Sequence, residues 1–221
     1  MRPTLDSPSS PHTKRCAHAV IGALAMTLGL LGAPAKAEVV DVTITGSVVF
    51  NGIGAPPLNA VGSGDAVTLS FSVDSSVFVD GIPGDLRSYE IDPSSFAMAF
   101  DTPVTIGLLN PLPGVTPYFT LIDGFPVSDG FFVSTSTMSP GGVPLEQEPF
   151  EANLQLGYQG DTLDSLDILA ALGIYDFGGL TSFGFNLWSI FPDNVAMEID
   201  FAQMEIASVI IPVELIEFGV E

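Results

Sequence analysis

Long stretches of this chain alternate apolar and polar residues with a period of two. Val67, Leu69 and Phe71, for example, alternate with threonine and serine. The same period recurs at 40–45, 96–100, 150–158, 183–187 and 195–201. Residues two apart point to the same face of a strand, so this pattern predicts strands with one face in a core and one in water. Such one-sided burial is typical of antiparallel sheets.

The segments between these runs are rich in Gly, Pro, Asn and Asp, which is typical of turns and loops. They lie at 51–64, 80–84, 110–114 and 139–144. Many short strands separated by such turns favour an all-β fold, an antiparallel β-sandwich or jelly roll. A shift of phase near Ala202 and Gln203 predicts a β-bulge. One short helix is predicted near 161–173, where Leu163, Leu166, Leu169 and Ala170 share a face.

The first 37 residues have the organisation of a secretory signal peptide. A basic start precedes an apolar run from Ala19 to Leu31, and Ala35-Lys36-Ala37 supplies a small-x-small cleavage pattern. The run is shorter than the ~20 residues of a spanning helix. We therefore expect cleavage after Ala37, one domain at 38–221, and a secreted protein, extracellular or periplasmic, without a membrane span in its mature form. Retention of the segment as a membrane anchor is the alternative.

Cleavage would leave a composition that excludes several chemistries. It removes both histidines, the only cysteine, four of five cations and one of 26 carboxylates. Arg87 then stands alone against 25 carboxylates, a formal charge of −24. Nucleic acid is an unsuitable partner, because its binding relies on Lys and Arg. Nucleophilic triads and zinc, haem or copper sites need His or Cys, so we expect no enzyme of those classes.

The remaining chemistry belongs to carboxylates. Asp80, Asp85, Glu90 and Asp92 follow or flank a Gly-Ile-Pro-Gly turn, and we treat them as candidate calcium ligands because calcium prefers six to eight oxygens. A solvated turn, with Asp80 and Asp85 capping backbone amides, is the alternative. No other cofactor is expected.

Trp188 is the only tryptophan of the chain and the candidate residue for binding a ligand such as a polysaccharide. The apolar residues Phe185, Leu187 and Ile190 surround it in the sequence. They favour a competing interpretation, in which Trp188 lies in the core or is half-buried.

The segment Gly62 to Tyr89, GSGDAVTLSFSVDSSVFVDGIPGDLRSY, resembles secreted bacterial proteins of the PEP-CTERM, exosortase-associated kind. The shared features are Gly64-Asp65, a strand ending in Phe-x-x-Asp at Asp74, an Asp/Pro loop at 80–85, and Tyr89. The resemblance implies a β-strand-rich protein of exopolysaccharide or biofilm material. Residues 210–221 lack the Pro-Glu-Pro, apolar helix and basic cluster of that family's sorting tail, so its surface anchoring is not implied.

These observations together predict a secreted, non-catalytic protein of the envelope or extracellular matrix that binds polysaccharide or calcium. Two alternatives remain open. One is a glycan-cleaving enzyme, which needs only two carboxylates about 5 to 10 Å apart. The other is a salt-adapted structural subunit that self-assembles through an edge strand.

Overall fold

The computed structural model describes residues 37–124, 128–189 and 195–209, which belong to one compact unit. These residues form twelve strands and one short 3-10 helix at Leu58–Ala60. The strands are β1 (Val39–Asn51), β2 (Ala66–Ile82), β3 (Leu86–Ile91), β4 (Ala97–Phe100), β5 (Thr105–Ile106), β6 (Tyr118–Ile122), β7 (Ser128–Ser134), β8 (Val143–Pro144), β9 (Glu151–Gln159), β10 (Gly173–Tyr175), β11 (Leu180–Ser189) and β12 (Val195–Ser208).

Eight of the strands close into an antiparallel barrel. Their order is β1-β12-β11-β9-β7-β6-β3-β2, and β2 pairs back onto β1 with Val73 opposite Val40. Strands β4, β5, β8 and β10, two to four residues long, pair at the margins of this ring. The all-β antiparallel prediction is confirmed, but the predicted sandwich or jelly roll is wrong. A strand with one buried face suits a sandwich and a barrel equally, and the pairing of β1 with β2 decides between them.

Side chains fill the interior of the barrel. The alternating residues of β2 that point inward, from Val67 to Val73, are at most 2% exposed. Phe119 lies at the centre, with its ring centroid 5.4 Å from that of Phe71 and 5.8 Å from that of Phe131. Burying one such side chain contributes about 1.5–3 kcal/mol, so apolar packing holds the closed ring together without disulfides.

The predicted bulge near Ala202 and Gln203 is confirmed. Thr45 of β1 pairs with Gln203, but the next residue, Gly46, pairs with Phe201, so Ala202 is the extra residue. Gly46 allows the two backbones to approach closely here, since a Cβ at this position would lie 2.3 Å from the carbonyl oxygen of Asp200.

The segment 161–173 is not a helix, contrary to the prediction. It consists of turns and bends and leads into β10. Its buried residues are Leu163, Leu166, Ile168 and Ala171, a spacing that does not follow one helical face. Side chains of the barrel bind its backbone directly. The Tyr89 hydroxyl donates to the Leu166 carbonyl at 2.7 Å and accepts the Ile168 N–H at 3.0 Å.

No helix within the described ranges is long and apolar enough to cross a membrane. The predicted signal peptide falls, apart from Ala37, on residues outside the described part of the chain. The cleavage site therefore stays a prediction, as does the interpretation of residues 210–221.

Candidate functional site

The four candidate calcium ligands do not converge. Asp80 is the cross-strand neighbour of Arg87, whose Nε donates to Asp80 Oδ1 at 2.7 Å. Asp85 lies in the turn between β2 and β3. Glu90 and Asp92 lie three and five residues beyond Arg87 at the other end of β3, roughly 10 and 17 Å from the Asp80–Arg87 pair at 3.3 Å per residue. Asp92 Oδ1 accepts the backbone N–H of Ser94 at 2.9 Å, as in an ordinary Asp-initiated turn.

A different group of carboxylates does come together. Oxygens of Asp123, Asp129 and Asp161 lie within 4.8 Å of one another, at the end of the barrel where β6 ends and β7 begins. Asp129 is buried, and its carboxylate accepts the backbone N–H groups of Gly124, Thr162 and Leu163. These three bonds fix two loops to the barrel, which gives Asp129 a structural role and leaves the group without an assigned cation.

The electrostatic effect of this group is visible at Asp123. Burial raises the pKa of its carboxyl above the ordinary value, and the neighbouring charges of Asp129 and Asp161 raise that pKa further. A raised carboxyl pKa means that the folded state disfavours the ionised form. Mutual repulsion among these acids is therefore only partly relieved by the three backbone donors.

Arg87, the only cation among the described residues, lines a cavity of about 260 Å³ with Phe78, Tyr89 and Asp167. Its guanidinium lies 4.1 Å from the centroid of the Phe78 ring. The hydrogen bond to Asp80 is the main reason that the pKa of Arg87 is raised. Because Asp80 already neutralises this charge, the cavity offers no free cation to an anionic ligand.

Trp188 lies on the outer surface of the barrel, near the end of β11. Phe185 and Leu187 point inward and are buried, whereas Trp188 is 37% exposed. Trp188 is therefore not a core residue, as the alternation of β11 indicates, but its partial exposure is close to the half-buried position that the sequence also suggested. Its ring borders a cavity of about 320 Å³. The other lining residues come from three adjacent strands: Asn153, Asn186, Ala196 and Glu198.

The register of the sheet brings these polar groups into one row. Asn186 of β11 pairs with Asn153 of β9 on one side and with Glu198 of β12 on the other. Glu198 also pairs with Phe50 of β1, and the side chain of Phe50 is 53% exposed. Residues paired across a ladder share a face, so the row carries two amides, one carboxylate and one aromatic ring.

Asn153 is the chemically informative member of the row. Among the residues that the structure describes, its Oδ1 is the one buried side-chain polar atom without a hydrogen-bond partner. A buried polar group that lacks a partner costs about 1–3 kcal/mol, so this acceptor calls for a donor. The oxygen is closed to solvent, so a ligand in the cavity contacts the other lining groups, among them Trp188, Asn186 and Glu198.

The residues that line the cavity favour ligand binding over catalysis. Glu198 is its single carboxylate, whereas carboxylate-dependent glycoside hydrolysis requires a pair. An amide both donates and accepts hydrogen bonds, and a carboxylate accepts them. An aromatic face with such groups beside it suits a ligand that is apolar on one side and rich in hydroxyl or amino groups at its rim.

Comparison of the chain with models of known families, with curated proteins and with solved structures found no match.

Proposed function

We propose that this protein is a non-catalytic, exported glycan-binding protein of the cell envelope or extracellular matrix, and that the cavity at Trp188 is its binding site. One observation carries the proposal. The exposed ring of Trp188 borders a surface cavity that is otherwise lined mainly by amide and carboxylate side chains, those of Asn153, Asn186 and Glu198.

A sugar ring matches the chemistry of this cavity. It has a face of C–H groups that packs on an indole ring, and hydroxyl groups that donate and accept hydrogen bonds around its edge. The Asn186 amide and the Glu198 carboxylate offer hydrogen-bond partners to such hydroxyls. At about 320 Å³ the cavity is at the small end of ligand sites, which corresponds to one or two sugar units.

The rest of the chain supports a binding role outside the cell. Residues 38–221 contain no histidine, cysteine or lysine, so the usual nucleophiles and their bases are missing from this part of the sequence. The predicted signal peptide supports export from the cell. Outside the cell, polysaccharide is the abundant polymer. The closed ring, whose added strands are at most four residues long, offers few long edges for strand-to-strand self-assembly.

Binding of the purified protein to a panel of oligosaccharides, followed by isothermal titration calorimetry, tests the proposal. We expect at least one oligosaccharide to bind, and Trp188→Ala to weaken that binding by about tenfold or more, the cost typical of a central aromatic contact. Phe177→Ala is the matched control, because Phe177 is an exposed aromatic residue that does not line the cavity.

Three outcomes would contradict the proposal. They are no binding across the panel, equal losses in Trp188→Ala and Phe177→Ala, and release of new reducing ends from the bound oligosaccharide. The last result would favour the rival glycan-cleaving enzyme, which was the principal alternative suggested by the sequence.

A further inference from the structure

We propose that the cavity at Trp188 selects sugar units that carry a free ammonium group, such as a hexosamine without its N-acetyl substituent. The inference rests on the proposed glycan binding and specifies the chemical class of the ligand.

Glu198 supplies the negative charge of the cavity wall. Its exposed carboxylate accepts hydrogen bonds only. An ammonium group is the complementary partner, because it has three donors and no acceptor. A hydroxyl can also donate to this carboxylate, but an ammonium group neutralises its charge as well.

Trp188 adds a second preference for a cation. The face of an indole ring attracts an ammonium group held within about 6 Å of its centroid. Trp188 pairs with Ala196 across the ladder, so Glu198 is its diagonal neighbour, at the ~7–8 Å spacing that aromatic and long side chains span.

The charged residues around the cavity are acidic. Glu151 is the cross-strand partner of Trp188 on β9, and Asp200 follows Glu198 on the same exposed face of β12. Arg87, the only cation among the described residues, lies on β3 and is already paired with Asp80. A uronate, sulfate or phosphate on a glycan would therefore meet repulsion without a counter-charge, whereas an ammonium group is attracted.

The test compares glucosamine oligosaccharides with N-acetylglucosamine oligosaccharides of the same linkage and length, by titration calorimetry at low ionic strength. We expect the free-amine form to bind about tenfold more tightly, as for a hydrogen bond to a charged group. Glu198→Gln should remove this preference, because it weakens binding of the free-amine form about tenfold more than binding of the acetylated form. Glu205→Gln is the matched control, because Glu205 is an exposed acid farther along β12 that lies outside the cavity.

The possible failures are distinguishable. Equal binding of the two forms, or tighter binding of the acetylated form, would overturn the inference and leave the proposed glycan binding standing. Equal loss of the preference in Glu198→Gln and Glu205→Gln would also overturn it, since the attraction would then come from the whole surface. Binding of neither form, nor of any other glycan in the panel, would overturn the proposed function and the inference with it.

Discussion

Replacing Tyr89 with phenylalanine removes the hydroxyl that joins β3 to the irregular segment 161–173. This hydroxyl donates to the Leu166 carbonyl at 2.7 Å and accepts the Ile168 N–H at 3.0 Å. Leu166 is 7% exposed and Ile168 is fully buried, so water has little access to the two backbone groups once the hydroxyl is gone. Phenylalanine retains the ring and its packing, and the change isolates the two hydrogen bonds.

The expected magnitude follows from the number of groups left without a partner. Each buried donor or acceptor that loses its partner costs about 1–3 kcal/mol, and two are affected here. We expect Tyr89→Phe to lower the free energy of unfolding by about 2–6 kcal/mol, a large part of the 5–15 kcal/mol typical of a domain. Tyr158→Phe is the matched control. Its hydroxyl makes one bond, to the carbonyl of the exposed Asp176, so about 1 kcal/mol is expected.

Urea denaturation, followed by Trp188 fluorescence and far-ultraviolet circular dichroism, measures both variants. An unchanged slope with a lower midpoint would assign the loss to stability rather than to a change in the exposed surface. Native-state hydrogen exchange gives a second measurement, in which the amides of Leu163 and Ile168 should exchange faster in Tyr89→Phe. A loss below about 0.5 kcal/mol, or one no larger than that of Tyr158→Phe, would refute the argument that this hydroxyl anchors the segment.

Three further predictions concern ionisation and backbone packing. Burial raises the pKa of Tyr158 to about 12 and also raises the pKa values of Tyr89 and Tyr175. Stability should therefore be complete below pH ~10 and fall as the pH rises further. An unfolding midpoint that is unchanged between pH 9 and 12 would contradict this prediction. Because the pKa of Asp123 is raised, ionisation of this carboxyl opposes folding above pH 3.8, the pKa of the unfolded state. Asp123→Asn should therefore raise the melting temperature at pH 7 but not near pH 3. An equal effect at both pH values would exclude the electrostatic cause. Gly46→Ala should destabilise the protein by about 2 kcal/mol or more, because the added Cβ would clash with the Asp200 carbonyl. Gly54→Ala is the control. Gly54 has open space around it, so this change should have little effect in the same urea assay.

The sequence was informative about strands and much less so about their arrangement. Alternation identified the inward-facing residues of β2, β9 and β12, because burial on one face is a local property of a strand. The bulge at Ala202 was also local, as a break in that alternation. Barrel closure was not predictable, since it depends on the pairing of β1 with both β2 and β12, and β12 lies about 160 residues later in the chain.

The helix predicted near 161–173 failed for a physical reason. Leucines three residues apart suggested a helical face, but several backbone groups there take their hydrogen-bond partners from side chains elsewhere in the chain. Asp129, Tyr89 and Tyr175 provide them, and all three lie outside the 161–173 sequence. The carboxylate group of Asp123, Asp129 and Asp161 was hidden in the same way, because tertiary structure alone brings its members together.

The location of the candidate site follows from the packing of the barrel. An eight-stranded barrel can hold a small ligand inside or fill its interior with side chains, and this one is filled. A ligand must therefore bind at the ends of the barrel or on its outer face, where alternation places polar residues. Many of those residues are serines, threonines and acids. Where β9, β11 and β12 bring two amides, a carboxylate and a tryptophan around one cavity, the outer face combines apolar contact with hydrogen-bonding groups. The proposed recognition of glycans thus depends on exposed residues of the barrel and not on its buried core residues.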